Sequence, residues 1–141
     1  MMQAAGVGAV VNNASLSGLM PTRNEAAYSA AKAGVIALTK STALEYGPVV
    51  RANCVAPGFI ATPLTAAFQQ FPDAFSPIRE QLPARRMGEA MEVAQVILFL
   101  CSQRSSYVTG QTLIVDGGAS LPQSGTDAAL DRKSTRLNSS H

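Results

Sequence analysis

Histidine is almost missing from this chain of 141 residues, because the single one is His141 at its end. A Ser-His-Asp hydrolase needs an imidazole base, and no G-x-S-x-G element surrounds Ser15, the serine that a hydrolase would use. A serine hydrolase is therefore a poor explanation of the sequence. Tryptophan is absent as well, and no run of 18 apolar residues occurs that could cross a membrane.

Cysteine is scarce, and Cys54 and Cys101 lie far apart in apolar surroundings. This pattern predicts buried free thiols in a reducing compartment rather than a disulfide or a metal site. The start, Met1-Met2-Gln3-Ala4-Ala5, has no basic region followed by an apolar stretch, so no signal peptide is expected. Together these features predict a cytoplasmic protein without a metal ion.

Charged residues make up only 14% of the chain, and the net charge is +2. Residues 131–141 hold three of the eleven Lys/Arg and one of the nine Asp/Glu, so residues 1–130 carry eight of each. A neutral main part offers no basic surface for nucleic acid. We therefore expect neither a nucleic-acid partner nor a membrane partner.

The last eleven residues, D-R-K-S-T-R-L-N-S-S-H, match codon by codon the translation of a common sequencing-library adapter. We expect residues 131–141 to be an assembly artefact and exclude them from the fold. Residues 122–130 are predicted to be a linker or tail. Sequencing the source transcript across codon 131 tests this expectation.

Apolar runs and helical periods alternate along residues 1–121, the predicted domain. Short β-branched runs predict strands at 7–12, 49–56 and 112–115, the first of them buried on both faces. The Ala-, Leu-, Lys- and Glu-rich composition of residues 25–46 predicts a helix. The apolar period of residues 89–102 predicts a second one. This alternation of strands and helices along the chain predicts an α/β fold with a parallel sheet and right-handed crossovers.

Two further expectations concern the second half of the chain. The predicted buried face of helix 89–102 is broad, and it comprises Met91, Ala94, Val96, Ile97, Phe99 and Leu100. Residues 62–83 contain four prolines and no clean period, which favours one or two short helices in a mobile segment.

Tyr28 and Lys32 form a Y-x-x-x-K element, and Ser15 lies thirteen residues before the tyrosine. On a helix, residues four apart lie on one face, so the ammonium group can lie beside the phenol and favour its ionised form. A phenol so placed is a usable general acid or base. An ordinary helix turn with an exposed lysine remains the alternative interpretation of the two residues alone.

Three further segments accompany this element in a fixed order. They are Asn12-Asn13-Ala14-Ser15, the stretch N-C-V-A-P-G-F-I-A-T from Asn53 to Thr62, and Y-V-T-G-Q-T-L-I-V-D-G-G from Tyr107 to Gly118. With them, residues 1–121 resemble the C-terminal half of a short-chain dehydrogenase/reductase. Ala14 departs from the family pattern, which has serine there. The implied fold is the incomplete C-terminal portion of a Rossmann-type, doubly wound parallel sheet.

The resemblance implies roles for individual residues. Ser15 is expected to hydrogen-bond the substrate oxygen, Tyr28 to exchange a proton with it, and Lys32 to hold the ribose hydroxyls of a nicotinamide cofactor. The remaining cofactor-binding residues are expected to be Pro57, Gly58, Ile60 and Thr62, with backbone groups of Ile60 at the carboxamide and Thr62 towards the pyrophosphate.

The resemblance also shows what this stretch lacks. It has no glycine-rich phosphate loop and no residue that selects between NAD and NADP, so either cofactor remains possible. An asparagine that completes the family's proton relay is expected upstream of Met1. Met1 to Gly6 are expected to be the end of that upstream helix. We therefore expect a fragment holding the last three of about seven strands.

Several of these residues also have a purely structural interpretation. Asn12 and Asn53 are expected to be structural hydrogen-bonding groups, and Thr62 can cap the turn that begins at Pro63. Asp116 is expected to form a turn. Arg85 and Arg86 are expected to be a solvated pair rather than an anion site.

The implied function is NAD(P)-dependent interconversion of a secondary alcohol and a ketone, with a catalytically silent fragment or binding relative as the alternative. Residues 62–87 are expected to cover the substrate. Their apolar residues, Leu64, Phe68, Phe71, Phe75 and Ile78, favour a non-polar or mid-sized ketone, and 3-oxoacyl thioesters, sugars and steroids all fit the family. Helix 25–46 is expected to pair with its symmetry mate in a homotetramer or dimer, as is common in the family.

Overall fold

The computed structural model describes residues 7–66 and 70–121. The predictions for residues 1–6, for Phe68, for the linker 122–130 and for the adapter-like segment 131–141 lie outside the described residues. Within the described ranges, no helix is long and apolar enough to span a membrane. No group of three or more His, Cys, Asp or Glu side chains is arranged there to hold a metal ion.

A three-stranded parallel sheet forms the centre of the described fold. Its strands are β1 (Gly8–Asn13), β2 (Val50–Pro57) and β5 (Thr112–Val115), and β2 lies between the other two. In the register, Asn12 lies opposite Cys54, and Val55 lies opposite Leu113. The predicted parallel α/β architecture is confirmed, with strand bounds that differ from the prediction by no more than one residue.

Helices α1 (Ala26–Tyr46) and α3 (Ala90–Cys101) cover opposite faces of this sheet. Cys54 packs with Ile36 of α1, whereas Val55 packs with residues of α3 such as Leu100. Successive side chains of a strand point to opposite faces, so the neighbours Cys54 and Val55 belong to two separate cores. Both helices were predicted, each with its ends within one residue of the observed bounds.

The buried surfaces are smaller than the sequence predicted. Every residue of β1 is at least partly exposed, because β1 is an outer strand of the described sheet. On α3 the buried residues are Val93 and Leu100, and Met91, Ala94 and Phe99 of the predicted face are exposed. Cys101 at the end of α3 is also exposed, so the prediction of two buried thiols holds only for Cys54.

A second, two-stranded parallel sheet was not predicted. It pairs β3 (Ile60–Ala61) with β4 (Gly88–Glu89) across the proline-rich segment. Each strand has only two residues, too few to produce a pattern in the sequence. Between them lie a 3-10 turn (Pro63–Thr65) and helix α2 (Pro72–Gln81), in agreement with the expected short helices.

The guanidinium of Arg51 joins the end of α3 to the centre of the sheet. It donates to the carbonyl oxygens of Leu100, Ser102 and Val108 and to the hydroxyl of Ser105, at 3.1 to 3.2 Å. These bonds satisfy carbonyl groups that the end of a helix leaves without partners. Arg51 thereby fixes the turn from which β5 begins.

Candidate functional site

The predicted site residues gather at one edge of the parallel sheet. Ser15 follows β1, and Pro57 and Gly58 lie at the end of β2. Asp116 directly follows β5. Since the carboxyl ends of parallel strands meet at one edge, and ligands of open α/β sheets bind outside that edge, this is the candidate site.

Tyr28 and Lys32 lie one turn apart near the start of α1. The Lys32 ammonium is 5.7 Å from the centre of the Tyr28 ring, within the range of a cation–π contact. Tyr28 is 43% exposed, so its phenol is open to a ligand. The shared helix face that the spacing predicted is therefore present.

Lys32 also reaches strand β1. Its Nζ donates a hydrogen bond of 3.0 Å to the carbonyl oxygen of Asn13, two residues before Ser15. An ammonium group has three donors, so donors remain for a ligand. This bond places the lysine between the tyrosine ring and the segment that carries Ser15.

Ser15 lies at the start of a 3-10 turn (Leu16–Gly18). Its hydroxyl accepts a hydrogen bond of 3.2 Å from the backbone N–H of Ser17. The capping bond uses the oxygen as acceptor and leaves the O–H donor available. The hydroxyl can therefore donate to a substrate oxygen while its position stays fixed.

Glu25 connects this turn to the first turn of α1, a role that was not predicted. Its carboxylate accepts bonds from the hydroxyls of Thr22, at 2.6 Å, and Ser17, at 3.0 Å. These two hydroxyls lower the pKa of Glu25 below its ordinary value. A carboxylate ten residues after Ser15 has no recognisable sequence signal, because the loop between them sets the contact.

Gly18 lets the 3-10 turn lie directly on α1. A Cβ at this position would lie 2.8 Å from the carbonyl carbon of Lys32 and 2.9 Å from the nitrogen of Ala33. Helix backbone cannot yield to such a clash, so any side chain at Gly18 must push the turn away. This contact sets the distance between the Ser15 segment and the helix that carries Tyr28 and Lys32.

The end of β2 packs against the turn after β5. Gly58 donates from its N–H to the carbonyl of Val115 at 3.0 Å, and a Cβ at Gly58 would lie 2.8 Å from that of Asp116. Asp116 accepts from the N–H groups of Gly118 and Ser120 at 2.9 and 2.7 Å. The turn-forming role expected of Asp116 is thus confirmed.

Ile60 and Thr62 follow the Pro57-Gly58 turn. Ile60 is buried in β3, and its carbonyl accepts a bond of 2.6 Å from the hydroxyl of Thr65. The N–H of Thr62 donates to the same hydroxyl at 2.9 Å, and Thr62 precedes the 3-10 turn that begins at Pro63. Its place at the cap agrees with the structural interpretation of Thr62.

Asn12 and Asn53 are structural hydrogen-bonding groups, as predicted. Asn12 donates from Nδ2 to the Thr39 hydroxyl at 2.8 Å, which joins β1 to α1. Asn53 is fully buried, donates to the carbonyl of Val108 at 2.8 Å and accepts from the N–H of Gln111 at 3.0 Å. Each amide thus has a structural partner within the chain.

Comparisons with known proteins show the family of this chain. The sequence model of the family described as enoyl-(acyl carrier protein) reductase matches residues 1–120. This chain belongs to the short-chain dehydrogenase/reductase family. The shared part includes the Tyr28–Lys32 element, the Ser15 segment and the Pro57-Gly58 turn.

Two curated members of the short-chain dehydrogenase/reductase family illustrate the similarity. A cyclohexanol dehydrogenase of Acinetobacter sp. (strain SE19) is 47% identical over 115 residues, which are 81% of this chain and 44% of the relative. A 3-oxoacyl-[acyl-carrier-protein] reductase of Thermotoga maritima is 47% identical over 113 residues, which are 79% of this chain and 45% of the relative. The chain therefore spans less than half the length of these relatives.

The fold is similar to solved members of the family as well. A gluconate 5-dehydrogenase from Burkholderia cenocepacia J2315, in complex with NADP and tartrate, matches with a TM-score of 0.81 and 32% identity. The match covers 86% of this chain and 48% of that one. The described sheet is thus part of a Rossmann-type α/β fold.

Proposed function

We propose that the full-length protein is an NAD(P)-dependent oxidoreductase that interconverts a secondary alcohol and a ketone. The observation that carries this proposal is the placement of Lys32 between the Tyr28 ring and the end of β1, two residues before Ser15. A phenol, an ammonium group and a hydroxyl are thereby held at the edge of the sheet where ligands bind. Membership of a family of dehydrogenases and reductases supports the same conclusion.

Tyr28 is the proposed proton donor and acceptor. During reduction, its phenol gives a proton to the oxygen of the substrate as that oxygen gains negative charge, and during oxidation the phenolate takes the proton back. The hydroxyl of Ser15 donates a hydrogen bond to the same oxygen and stabilises the charge that develops on it. The ammonium group of Lys32 lies 5.7 Å from the centre of the Tyr28 ring, beside the group proposed to exchange the proton.

The residues at this edge fit a nicotinamide cofactor. The Lys32 ammonium keeps donors for ribose hydroxyls, and the Pro57-Gly58 turn and Ile60 offer an apolar wall with backbone polar groups to the nicotinamide and its carboxamide. Thr62 is the proposed contact towards the pyrophosphate. When bound, the reduced form of NAD or NADP would supply the hydride for ketone reduction, and the oxidised form would accept it in alcohol oxidation.

The substrate proposed is a mid-sized, largely apolar alcohol or ketone. Leu64 and Phe71, in the segment between β3 and β4, are exposed apolar side chains that can cover such a molecule. The names of the two curated relatives, a cyclohexanol dehydrogenase and a 3-oxoacyl reductase, are compatible with this class.

A cytoplasmic homo-oligomer completes the proposal. Leu38, Leu44 and Tyr46 are exposed apolar residues on α1, the helix expected to meet its symmetry mate. Burial of these side chains against a second copy removes apolar surface from water. Size measurement of the full-length protein in solution tests this part separately from catalysis.

The experiment that tests the function is a turnover assay with the full-length protein. Absorbance of the reduced nicotinamide is followed with each of the two cofactors and a panel of cyclic, aliphatic and sugar-like alcohols and ketones. Cofactor-dependent turnover of a secondary alcohol or ketone supports the proposal. Saturable cofactor binding without turnover of any of them favours a silent binding relative instead.

A further inference from the structure

A cavity of about 90 Å³ lies at the carboxyl edge of the sheet, beside the proposed cofactor-binding residues. Ile60 and Asp116 contribute to its wall, together with Gly88 of β4. The wall also contains Arg86 and Glu92, two charged side chains outside the set proposed to touch cofactor or substrate. Arg86 and Glu92 therefore share the wall of this cavity with Ile60, a proposed cofactor-binding residue.

Arg86 and Glu92 form a two-pronged ion pair. The Nη1 and Nη2 atoms of Arg86 donate to Oε2 and Oε1 of Glu92 at 2.8 and 2.7 Å. Such parallel bonds fix the planes of both groups, which a single contact cannot do. The hydrogen bond from Arg86, together with one from the backbone N–H of Glu89, lowers the pKa of Glu92 to about 2.

The pair is bonded to the backbone of Met87, the residue before β4, and to that of Glu89 within β4. Arg86 Nη1 also donates to the carbonyl of Met87 at 3.0 Å, and Glu92 Oε2 accepts from the N–H of Glu89 at 2.8 Å. Gly88 lies between these two contact points. The position of β4 is therefore held from both sides by one ion pair.

Strand β4 in turn determines where Ile60 lies. The N–H of Gly88 donates to the carbonyl of Phe59 at 2.9 Å, and Gly88 lies opposite Ile60 in the register. A Cβ on Gly88 would lie 2.8 Å from Cδ1 of Ile60, so the two residues are already in close contact. A shift of β4 must consequently move Ile60 or break its pairing.

The ion pair is a weak source of overall stability. The side chains of Arg86 and Glu92 are 58% and 41% exposed, and exposed ion pairs contribute little to the free energy of unfolding. A ladder of only two residues on each strand, however, has few other bonds to hold it. The effect of the pair is therefore local to β3 and β4.

We propose that Arg86 and Glu92 are positioning residues for the cofactor, which hold β4 so that the backbone of Ile60 meets the nicotinamide carboxamide. The inference rests on the proposed function, because it assigns a purpose to the position of Ile60. Neither side chain touches the cofactor in this arrangement. Both act through the β3–β4 ladder.

The first test needs no cofactor. Arg86→Met and Glu92→Ala are made in the full-length protein, and backbone hydrogen exchange is measured for residues 59–62 and 87–89. We expect exchange there to accelerate about threefold or more, since local opening becomes easier, with no change in β1 or β2. Arg104→Met, which removes an exposed arginine outside the cavity wall, serves as the matched control.

The second test measures cofactor affinity by calorimetry. Each protein is titrated with the natural cofactor and with an analogue whose carboxamide is replaced by an acetyl group. In both variants we expect the preference for the natural cofactor to fall about fivefold, the equivalent of roughly one hydrogen bond. Arg86→Lys keeps the charge but not the two parallel bonds. Its preference for the natural cofactor should lie between that of wild type and that of Arg86→Met.

The outcomes separate the two proposals. Unchanged exchange at residues 59–62, or an unchanged preference despite faster exchange, overturns the positioning role and leaves the oxidoreductase proposal intact. A wild-type protein that binds neither cofactor overturns the proposed function and this inference with it. If a variant does not fold, Arg86→Lys and Glu92→Gln are compared in the same two measurements.

Discussion

The ammonium group of Lys32 donates a hydrogen bond of 3.0 Å to the carbonyl oxygen of Asn13. These residues are nineteen positions apart, and the bond joins the first turns of α1 to the end of β1. It brings the residue proposed to hold the cofactor ribose next to the segment that carries Ser15. The relative position of the three proposed catalytic groups depends on such contacts between segments.

Replacement of Tyr28 by phenylalanine in the full-length protein tests the proposed proton transfer. We expect kcat to fall about 10²- to 10⁴-fold, the usual contribution of a positioned general acid, while the dissociation constant of the cofactor stays within about twofold. Steady-state kinetics and a binding titration measure the two quantities. Tyr107→Phe is the control, because Tyr107 is fully exposed. A kcat within about tenfold of wild type contradicts the assignment.

The chain of 141 residues by itself is expected to bind no nicotinamide cofactor tightly. It contains no glycine-rich phosphate loop, and β1 is an outer strand of the described sheet with an unpaired edge. The measurement is a calorimetric titration of the isolated chain with NAD and NADP. A dissociation constant in the micromolar range would show that the expectation is wrong.

Removal of the Glu25 carboxylate is expected to impair catalysis without affecting the cofactor. In Glu25→Ala, Ser17 and Thr22 lose their common acceptor, and we expect kcat/KM for the substrate to fall about three- to tenfold, as for one or two exposed hydrogen bonds. Glu45→Ala, at the other end of α1, is the control.

A double-mutant cycle separates this coupling from a general loss of stability. If Ser17 and Glu25 act together, the effects of Ser17→Ala and Glu25→Ala on kcat/KM are less than additive. Strict additivity would show that the hydrogen bond between them does not position Ser15.

Asn53 is expected to be essential for the stability of the β2–β5 region. Asn53→Ala leaves the N–H of Gln111 without this partner and the carbonyl of Val108 with only its bond from Arg51, and we expect a loss of about 1–3 kcal/mol of unfolding free energy in total. Denaturant unfolding of the full-length protein measures the loss. Gln111→Ala is the control, since its side chain makes an exposed bond to the same turn. Equal stability of the two variants would contradict the structural role.

The carboxylate of Asp116 makes stability depend on pH in the acid range. Burial acts to raise the pKa of Asp116, but hydrogen bonds from Ser120 and Gly118 outweigh it and the pKa is lowered. The stabilisation is therefore complete above the unfolded-state pKa of about 3.9 and disappears as the pH falls through the lower folded-state value. Unfolding experiments between about pH 6 and pH 3 should show the stability gap between wild type and Asp116→Asn narrowing towards low pH. A gap that is constant with pH would contradict this role.

The parts of the fold that the sequence predicted are those with a repeated local signal. The apolar period of α3 and the β-branched runs of β1, β2 and β5 recur over several residues, and the ends of each element were predicted within one residue. Strands β3 and β4 have two residues each, and their pairing joins segments 28 residues apart. No local pattern can reveal a ladder whose partners are chosen by long-range contact.

In the candidate site, too, local features were predicted from the sequence and contacts between distant segments were not. Spacing alone placed Tyr28 and Lys32 on one face of a helix, because the period of a helix is a local property. The roles of Glu25, Gly18 and Arg51 were not predicted, since each depends on a contact with a distant segment.

The sequence by itself determined the order of β1, α1, β2, α3 and β5, the Tyr28–Lys32 element and the family. Only the tertiary structure decided which side chains are buried and which groups hold the site together. The position of Cys101 on the surface, the narrow buried face of α3 and the Arg86–Glu92 pair belong to this second class. The physical reason is that secondary structure is set by neighbours along the chain, whereas burial and hydrogen-bond partners are set by neighbours in space.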